Sequence, residues 1–282
     1  MKLIRFGPVG IERPGIIDVN GHLRDASTVL PEVGGEFLNR ESLARIAQVD
    51  VASLPAVEGE VRIGCPISNT RQFIAVGLNY SDHAAESGMA APTEPILFTK
   101  GVSCIQGPND PVRKPKASSK MDWEVELGIV IGERAAYVEK EQALDYVAGF
   151  VLCDDLSERE FQLERGGSWD KGKGCDTFGP IGPWLATKDE IGDVQALFMW
   201  LNVNGKNVQT GSTSKMIFDC ASLVSYISQF MVLLPGDIIT TGTPPGVGMG
   251  MKPPQYLQVG DIIELGIEKL GSQRHQVIAW DA

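Results

Sequence analysis

The chain has 282 residues, 43% of them hydrophobic, enough to bury one large core or one large domain plus a small one. A net charge of −11 and a pI near 4.8 exclude the basic face of a nucleic-acid binder and suit an anionic membrane surface poorly. The N-terminus lacks the apolar core of a signal peptide and no later segment is long enough to span a bilayer. Five scattered cysteines without a Cys-x-x-Cys pair fit reduced thiols, so a cytoplasmic protein is expected.

Residues 1–66 read as a small α+β domain: a short strand over 15–19, a turn at Asn20-Gly21, a helix over 42–49 and a connector over 50–62. A second segment, 67–282, opens on the apolar run 73–78. It carries strands over 126–131, 146–153, 199–203, 237–241 and 261–267, and one amphipathic helix over 220–233. β-Branched runs and turn signals dominate and no repeat is visible, so the fold class is α+β and strand-rich. The Gly- and Pro-rich stretch 241–254 is too long for a hairpin turn; a loop of that length is functional or disordered.

Asp122-Trp123-Glu124-Val125-Glu126-Leu127 is the most informative stretch. Residues two apart on a strand share a face, so Glu124 and Glu126 project together at the entrance to a run that looks buried. Two adjacent carboxylates in such a place repel each other and lose hydration, and they require a compensating cation. A second apolar run, 148–153, ends in Asp154-Asp155. Three carboxylates from two strands suit a hard divalent ion such as Mg²⁺ or Mn²⁺. The same alternation also fits a solvated strand face, and the residues alone leave both readings open.

Of three histidines, His83 stands out because it follows a predicted strand and has Glu86 three residues on. On a short helix capped by Ser81 or Asp82 the pair can hydrogen-bond, which raises the basicity of the imidazole; an incidental surface pair is the alternative. His22 and His275 read as structural or exposed. Two glycine patterns carry nothing. Gly167 to Lys173 matches the first seven positions of a phosphate loop, but Gly174 replaces the required Ser or Thr and no buried strand precedes it. Gly246-Val247-Gly248-Met249-Gly250 has the wrong spacing for a dinucleotide fingerprint.

Five pieces in order resemble the fumarylacetoacetate hydrolase family across about residues 70–268. They are Gly77-Leu78-Asn79-Tyr80-x-x-His83-x-x-Glu86, Asp122-Trp123-Glu124-Val125-Glu126, Asp154-Asp155-x-Ser157-x-Arg159, Lys173-Gly174-Cys175-Asp176-Thr177-Phe178 and Thr241-Gly242-Thr243-Pro244-x-Gly246-Val247-Gly248. The resemblance implies a mixed β-roll or sandwich catalytic domain behind a small N-terminal domain. It implies a metal triad at Glu124, Glu126 and Asp155, holding Mg²⁺ or Mn²⁺ (with Ca²⁺ as a crystallisation substitute). It also implies a His83–Glu86 dyad, a catalytic lysine at Lys173, and substrate contacts at Arg159, Gln162 and Thr243. Asp154 departs from the family pattern, where many members carry Asn. Only the resemblance selects Lys173 over Lys171.

The activity so implied is cleavage of a carbon–carbon bond in a 2-oxo or 2,4-dioxo acid by a homodimer, with neither nucleic acid nor membrane as partner. Residues 1–66 and 246–254 look most like hydrolases of 2,4-diketo-3-deoxy sugar acids, which release pyruvate and a hydroxy acid. Ureidoglycolate lyases, acylpyruvate hydrolases and oxaloacetate decarboxylases share the site, and a Mg²⁺-dependent binding protein for anionic metabolites is the non-enzymatic alternative. A helix around His83 is rich in Ala and Gly and has little apolar area to hold it closed, so residues 81–94 are expected to form a lid that orders over bound substrate.

Overall fold

The structure, a computed structural model, describes residues 1–82 and 91–282. Two sheets carry the architecture. The larger runs in the order Leu23–Asp25, Arg13–Ile17, Lys2–Phe6, Leu185–Thr187, Val147–Asp154, Val125–Ile131, Ile238–Thr240, Phe73–Gly77 and Ile96–Thr99, with Ile63–Gly64 also pairing on Lys2–Phe6. Only Ile238–Thr240 and Phe73–Gly77 pair in parallel within it. The N-terminal strands thus extend the sheet that carries Val125–Ile131, joined through Lys2↔Ala186. The second sheet has Lys206–Ser212, Phe198–Val203, Ile262–Ile267, Gly271–Ala279 and Val112–Lys114, and its middle strands contact Val125–Ile131. The strand-rich α+β expectation holds.

Val125–Ile131 and Val147–Asp154 are buried at every position, as mainly apolar runs covered on both faces must be. Their pairing is close because Gly128 lacks a side chain: a Cβ there would lie 2.6 Å from Val151 Cγ2 and 2.8 Å from Cys153 Sγ. The antiparallel register Val125↔Asp154 and Glu126↔Cys153 brings the start of one strand beside the end of the other. That is where the acidic residues sit.

Element ends differ from the sequence reading for local reasons. The first helix is Arg40–Ile46 rather than 42–49, because the Asn39 side chain accepts from Ser42 N and caps it early. The helix expected over 220–233 stops at Ser228. Its last apolar residue, Leu233, pairs with Ala135 instead, while the Asp237 carboxylate accepts from Leu234 N and Gln72 N and turns the chain into Ile238–Thr240. The stretch 241–254 is ordered and contains the short 3₁₀ turn Gly248–Gly250. Its last turn is held from the acidic stretch: the Asp122 carboxylate accepts from Gly248 N at 2.7 Å and from Met249 N at 3.0 Å. Among the described residues no helix is long and apolar enough to cross a membrane.

Candidate metal and catalytic site

Glu124 lies immediately before the strand Val125–Ile131, Glu126 lies within it, and Asp155 follows Val147–Asp154. A backbone bond from Asp155 N to Glu124 O at 2.9 Å locks the two segments together. One oxygen from each of the three carboxylates falls within 4.8 Å of the others. Glu124 is 7% exposed, and Glu126 and Asp155 are 1% exposed, so the solvated-face reading of the Glu-x-Glu alternation is overturned.

Three buried cations meet these acids. Lys173 Nζ donates to Glu124 Oε2 at 2.7 Å and to Asp155 Oδ2 at 2.6 Å. Lys100 Nζ donates to Asp155 Oδ1 at 2.6 Å and to the Lys173 carbonyl at 2.7 Å. Arg159 Nε donates to Asp122 Oδ2 at 2.8 Å, Nη2 to Glu124 Oε1 at 2.7 Å, and Nη1 to Gln162 Oε1 at 3.1 Å. Glu126 forms no ion pair among the described residues; its Oε2 accepts from Gly242 N at 2.9 Å. Thr243 sits beside this group, donating from Oγ1 to the Val125 carbonyl and accepting from Gln209 Nε2.

The cluster is electrostatically divided. Burial pushes Glu124 up, but Lys173 and Arg159 together outweigh it and hold the carboxyl at about 2. Burial also pushes Glu126 up, and there repulsion from Asp155 and Glu124 adds to it, so Glu126 lies well above the usual carboxylate range. Asp154 is driven by burial to about 8; its Oδ1 accepts from Glu124 N, and its Oδ2 is buried without a partner. Burial opposes the charge on Lys100, and Asp155 more than restores it.

The fold therefore brings six of the sequence-selected residues into one buried group: Glu124, Glu126, Asp155, Arg159, Gln162 and Lys173, with Thr243 adjoining. Lys173 is 2% exposed inside the cluster, whereas Lys171 is exposed and donates to the Arg165 carbonyl. His83 and Glu86, and most of the expected lid over 81–94, lie outside the described residues. His275 is fully buried, with Nε2 3.0 Å from Gln273 Oε1. Sequence reasoning missed Lys100, a lone cation just after the strand Ile96–Thr99 whose acceptors lie 55 and 73 positions away. It quoted Asp122 without a role, although that carboxylate accepts from Arg159 as well as from the 248–249 turn.

Three convergent carboxylates with no thiolate or imidazole among them form an all-oxygen donor set suited to a hard divalent ion. Glu126 has no cationic partner among the described residues, and an ion held by the three carboxylates would supply one, so the residues fit such a cation. Their surroundings supply the Lys173 ammonium and the Arg159 guanidinium for an anionic organic ligand, while the Lys100 ammonium is taken up by Asp155 Oδ1 and the Leu156 and Lys173 carbonyls.

The chain is similar to several known proteins. The family model for the fumarylacetoacetate (FAA) hydrolase C-terminal domain matches residues 72–278. A Burkholderia multivorans protein that carries only a provisional hydrolase name is 56% identical over 274 residues, covering 97% of each chain. A fumarylacetoacetate hydrolase of Exiguobacterium antarcticum is similar in structure, with 37% identity, TM-score 0.88 and 99% of each chain covered. So is a maleylpyruvate hydrolase of Sphingobium sp. SYK-6, solved with manganese(II) and pyruvate, at 27% identity, TM-score 0.83 and 99% of each chain.

Proposed function

The chain belongs to the fumarylacetoacetate hydrolase family, and from that premise we propose that it is a Mg²⁺- or Mn²⁺-dependent hydrolase of 2,4-diketo acids. The observation that carries this reading is the buried group in which Glu124, Glu126 and Asp155 meet the Lys173 ammonium. The pyruvate-bound maleylpyruvate hydrolase supports a 2-oxo acid as ligand. Glu124, Glu126 and Asp155 would hold the ion, which when bound supplies Lewis acidity to the oxygens of a 2-oxo acid.

The protein's own groups perform the remaining work. Each terminal nitrogen of Arg159 spends one N–H on Glu124 or Gln162 and keeps one for a substrate carboxylate. In this reading His83, oriented by Glu86, takes a proton from the water that attacks the distal ketone. The carbon–carbon bond then breaks with its electron pair on the pyruvate fragment, and Lys173 stabilises the negative charge that develops there. Protonation of that carbon gives pyruvate, and the other fragment leaves as a carboxylic acid. A site made only for binding has no need of His83 and Glu86 in the sequence or of Lys173 beside the triad, and their presence favours catalysis over the binding-protein alternative.

Among 2,4-diketo acids, the 2,4-diketo-3-deoxy sugar acids are the proposed natural class, the sugar hydroxyls lying on the leaving acid. The test is pyruvate release from a panel of such acids, acylpyruvates and oxaloacetate, with ureidoglycolate alongside and Mg²⁺ present. Pyruvate together with a carboxylic acid from the diketo acids is expected. Turnover of ureidoglycolate alone, or loss of CO₂ from oxaloacetate alone, would replace the hydrolase reading by a lyase or a decarboxylase.

A further inference from the structure

We propose that Phe98-Thr99-Lys100 is the positioning device for Lys173, with Lys100 as its decisive residue. The helix that carries Lys173, Asp170–Lys173, is a single turn of four residues, far too short to hold itself. It follows Gly166-Gly167-Ser168-Trp169 and ends on Gly174, and its local side-chain bonds, Ser168 Oγ to Asp170 Oδ2 and Lys171 Nζ to the Arg165 carbonyl, are exposed ones that brace it weakly. Three consecutive residues of a neighbouring segment hold it instead. Thr99 N and Oγ1 both donate to Asp170 Oδ1, at 3.1 and 2.8 Å, at the start of the turn. Lys100 Nζ donates to the Lys173 carbonyl at its end. Phe98 packs edge-on against Trp169, ring centroids 5.2 Å apart, and lies 5.2 Å beneath Lys173 Nζ.

Lys100 does more than cap the turn. Its side chain is fully buried, and the same ammonium that holds the Lys173 carbonyl also holds Asp155 Oδ1 and the Leu156 carbonyl. Lys173 Nζ takes the other oxygen of Asp155. The two lysines therefore fix the rotation of that carboxylate between them, and Lys100 sets the distance between the Asp155 segment and the Lys173 turn. A buried ammonium is costly to desolvate, and an apolar side chain of similar length would fill the space more cheaply. Its presence is explained by the geometry it imposes. Lys100 is thus a positioning residue acting through Lys173, and this inference rests on Lys173 being part of the working site.

The test reads Lys173 directly and needs no substrate. The full-length chain, without added metal, is treated with acetic anhydride, and acetylation of Lys173 and Lys171 is followed by peptide mass spectrometry. In Lys100→Met the labelling of Lys173 should rise, because its turn is no longer tied to the Asp155 segment, while Lys171 stays unchanged. Unchanged Lys173 labelling in a variant with native circular dichroism overturns the proposal. If Lys100→Met does not fold, Thr99→Val decides: a smaller rise at Lys173 supports the device, and no rise overturns it. Turnover of the preferred diketo acid separates the two readings. Full activity in Lys173→Met would remove the catalytic reading and leave the labelling result intact. With Lys173 catalytic, Lys100→Met should lower kcat in the wild-type background and add little in Lys173→Met; additive losses overturn action through Lys173.

Discussion

Two clusters of charge in this molecule, one half-buried and one buried, are built to opposite ends. One joins the N-terminal segment to the second along a cavity of about 850 Å³ lined by Arg5, Glu12, Arg62 and Asp110. There every carboxylate has a guanidinium. Arg5 bonds Glu32 at 3.0 Å and meets Glu12 at 3.4 Å; Arg62 bonds Glu12 at 2.8 Å and Asp110 at 2.6 Å. Burial pushes Glu12 up, but Arg62 and Arg5 outweigh it and the group stays below the usual range. In the other cluster Glu126 and Asp154 are left without a cation and rise far above that range. The first cluster is satisfied as it stands and holds two segments together. The second has more carboxyl groups than cations in a dry place, so its surplus carboxyls, Glu126 and Asp154, are pressed toward their neutral forms, which is the condition for exchanging protons for a bound cation and doing chemistry.

The largest effect expected from that difference is the response to metal. Removing divalent ions with a chelator should abolish pyruvate release, and Mg²⁺ or Mn²⁺ should restore it, because in the proposed function a cation would complete the Glu124–Glu126–Asp155 set. Full activity in metal-free protein would make the second cluster as purely structural as the first. Next in size is Lys173→Met, expected to lower kcat by about 2–4 kcal/mol of transition-state stabilisation, while Lys171→Met changes it by less than about 0.5 kcal/mol. Equal losses from the two variants would show that burial beside Glu124 and Asp155 does not single out the working lysine.

How much of this was legible in the sequence differs between the clusters for a physical reason. The alternation of Glu124 and Glu126 before a β-branched run, and Asp155 after another, are local signals, and local signals gave the acidic group and the strands that carry it. Burial is not local: the same alternation fits a solvated face until the second sheet and the neighbouring strands cover it. The cations were harder still. Lys100 meets Asp155 across 55 positions, and Arg62 meets Glu12 across 50, spacings set by sheet order and visible in no motif. Lys173 was selected over Lys171 only through family resemblance; the one-turn helix then separates them, turning one ammonium inward and leaving the other outside.

A smaller effect should distinguish the satisfied cluster. Arg62→Met removes the partner shared by Glu12 and Asp110, and is expected to cost about 1–3 kcal/mol of stability at neutral pH with kcat unchanged. Because the folded protein holds Glu12 below its ordinary value, its contribution is fully present above the unfolded pKa and is lost as pH falls through the folded one. The stability gap between wild type and variant should therefore close below about pH 4. Denaturant titrations across pH, with turnover assayed in parallel, check both parts; a loss of kcat at full folding would tie this cluster to catalysis.

The smallest effect is predicted for Asp154, where the second cluster carries a carboxyl that its geometry does not use. Oδ1 accepts from Glu124 N, and an Asn side-chain oxygen can accept the same bond; Oδ2 has no partner. Asp154→Asn should thus leave kcat within about twofold. Stability should move instead. Asp154 is raised from 3.8 to about 8 in the folded protein, so between those values the folded state binds a proton that the unfolded state does not, and stability falls as pH rises through that window. Asn removes that fall. Against it stands the Asn amide, buried where no acceptor waits, at a cost of about 1–3 kcal/mol. The metal-free variant should therefore trail wild type near pH 4 and overtake it as pH rises, by about 2–4 kcal/mol at pH 8. A stability difference that stays flat from pH 4 to 8 would mean Asp154 finds a compensating charge in solution, and that Glu126 alone is the surplus carboxyl of the site.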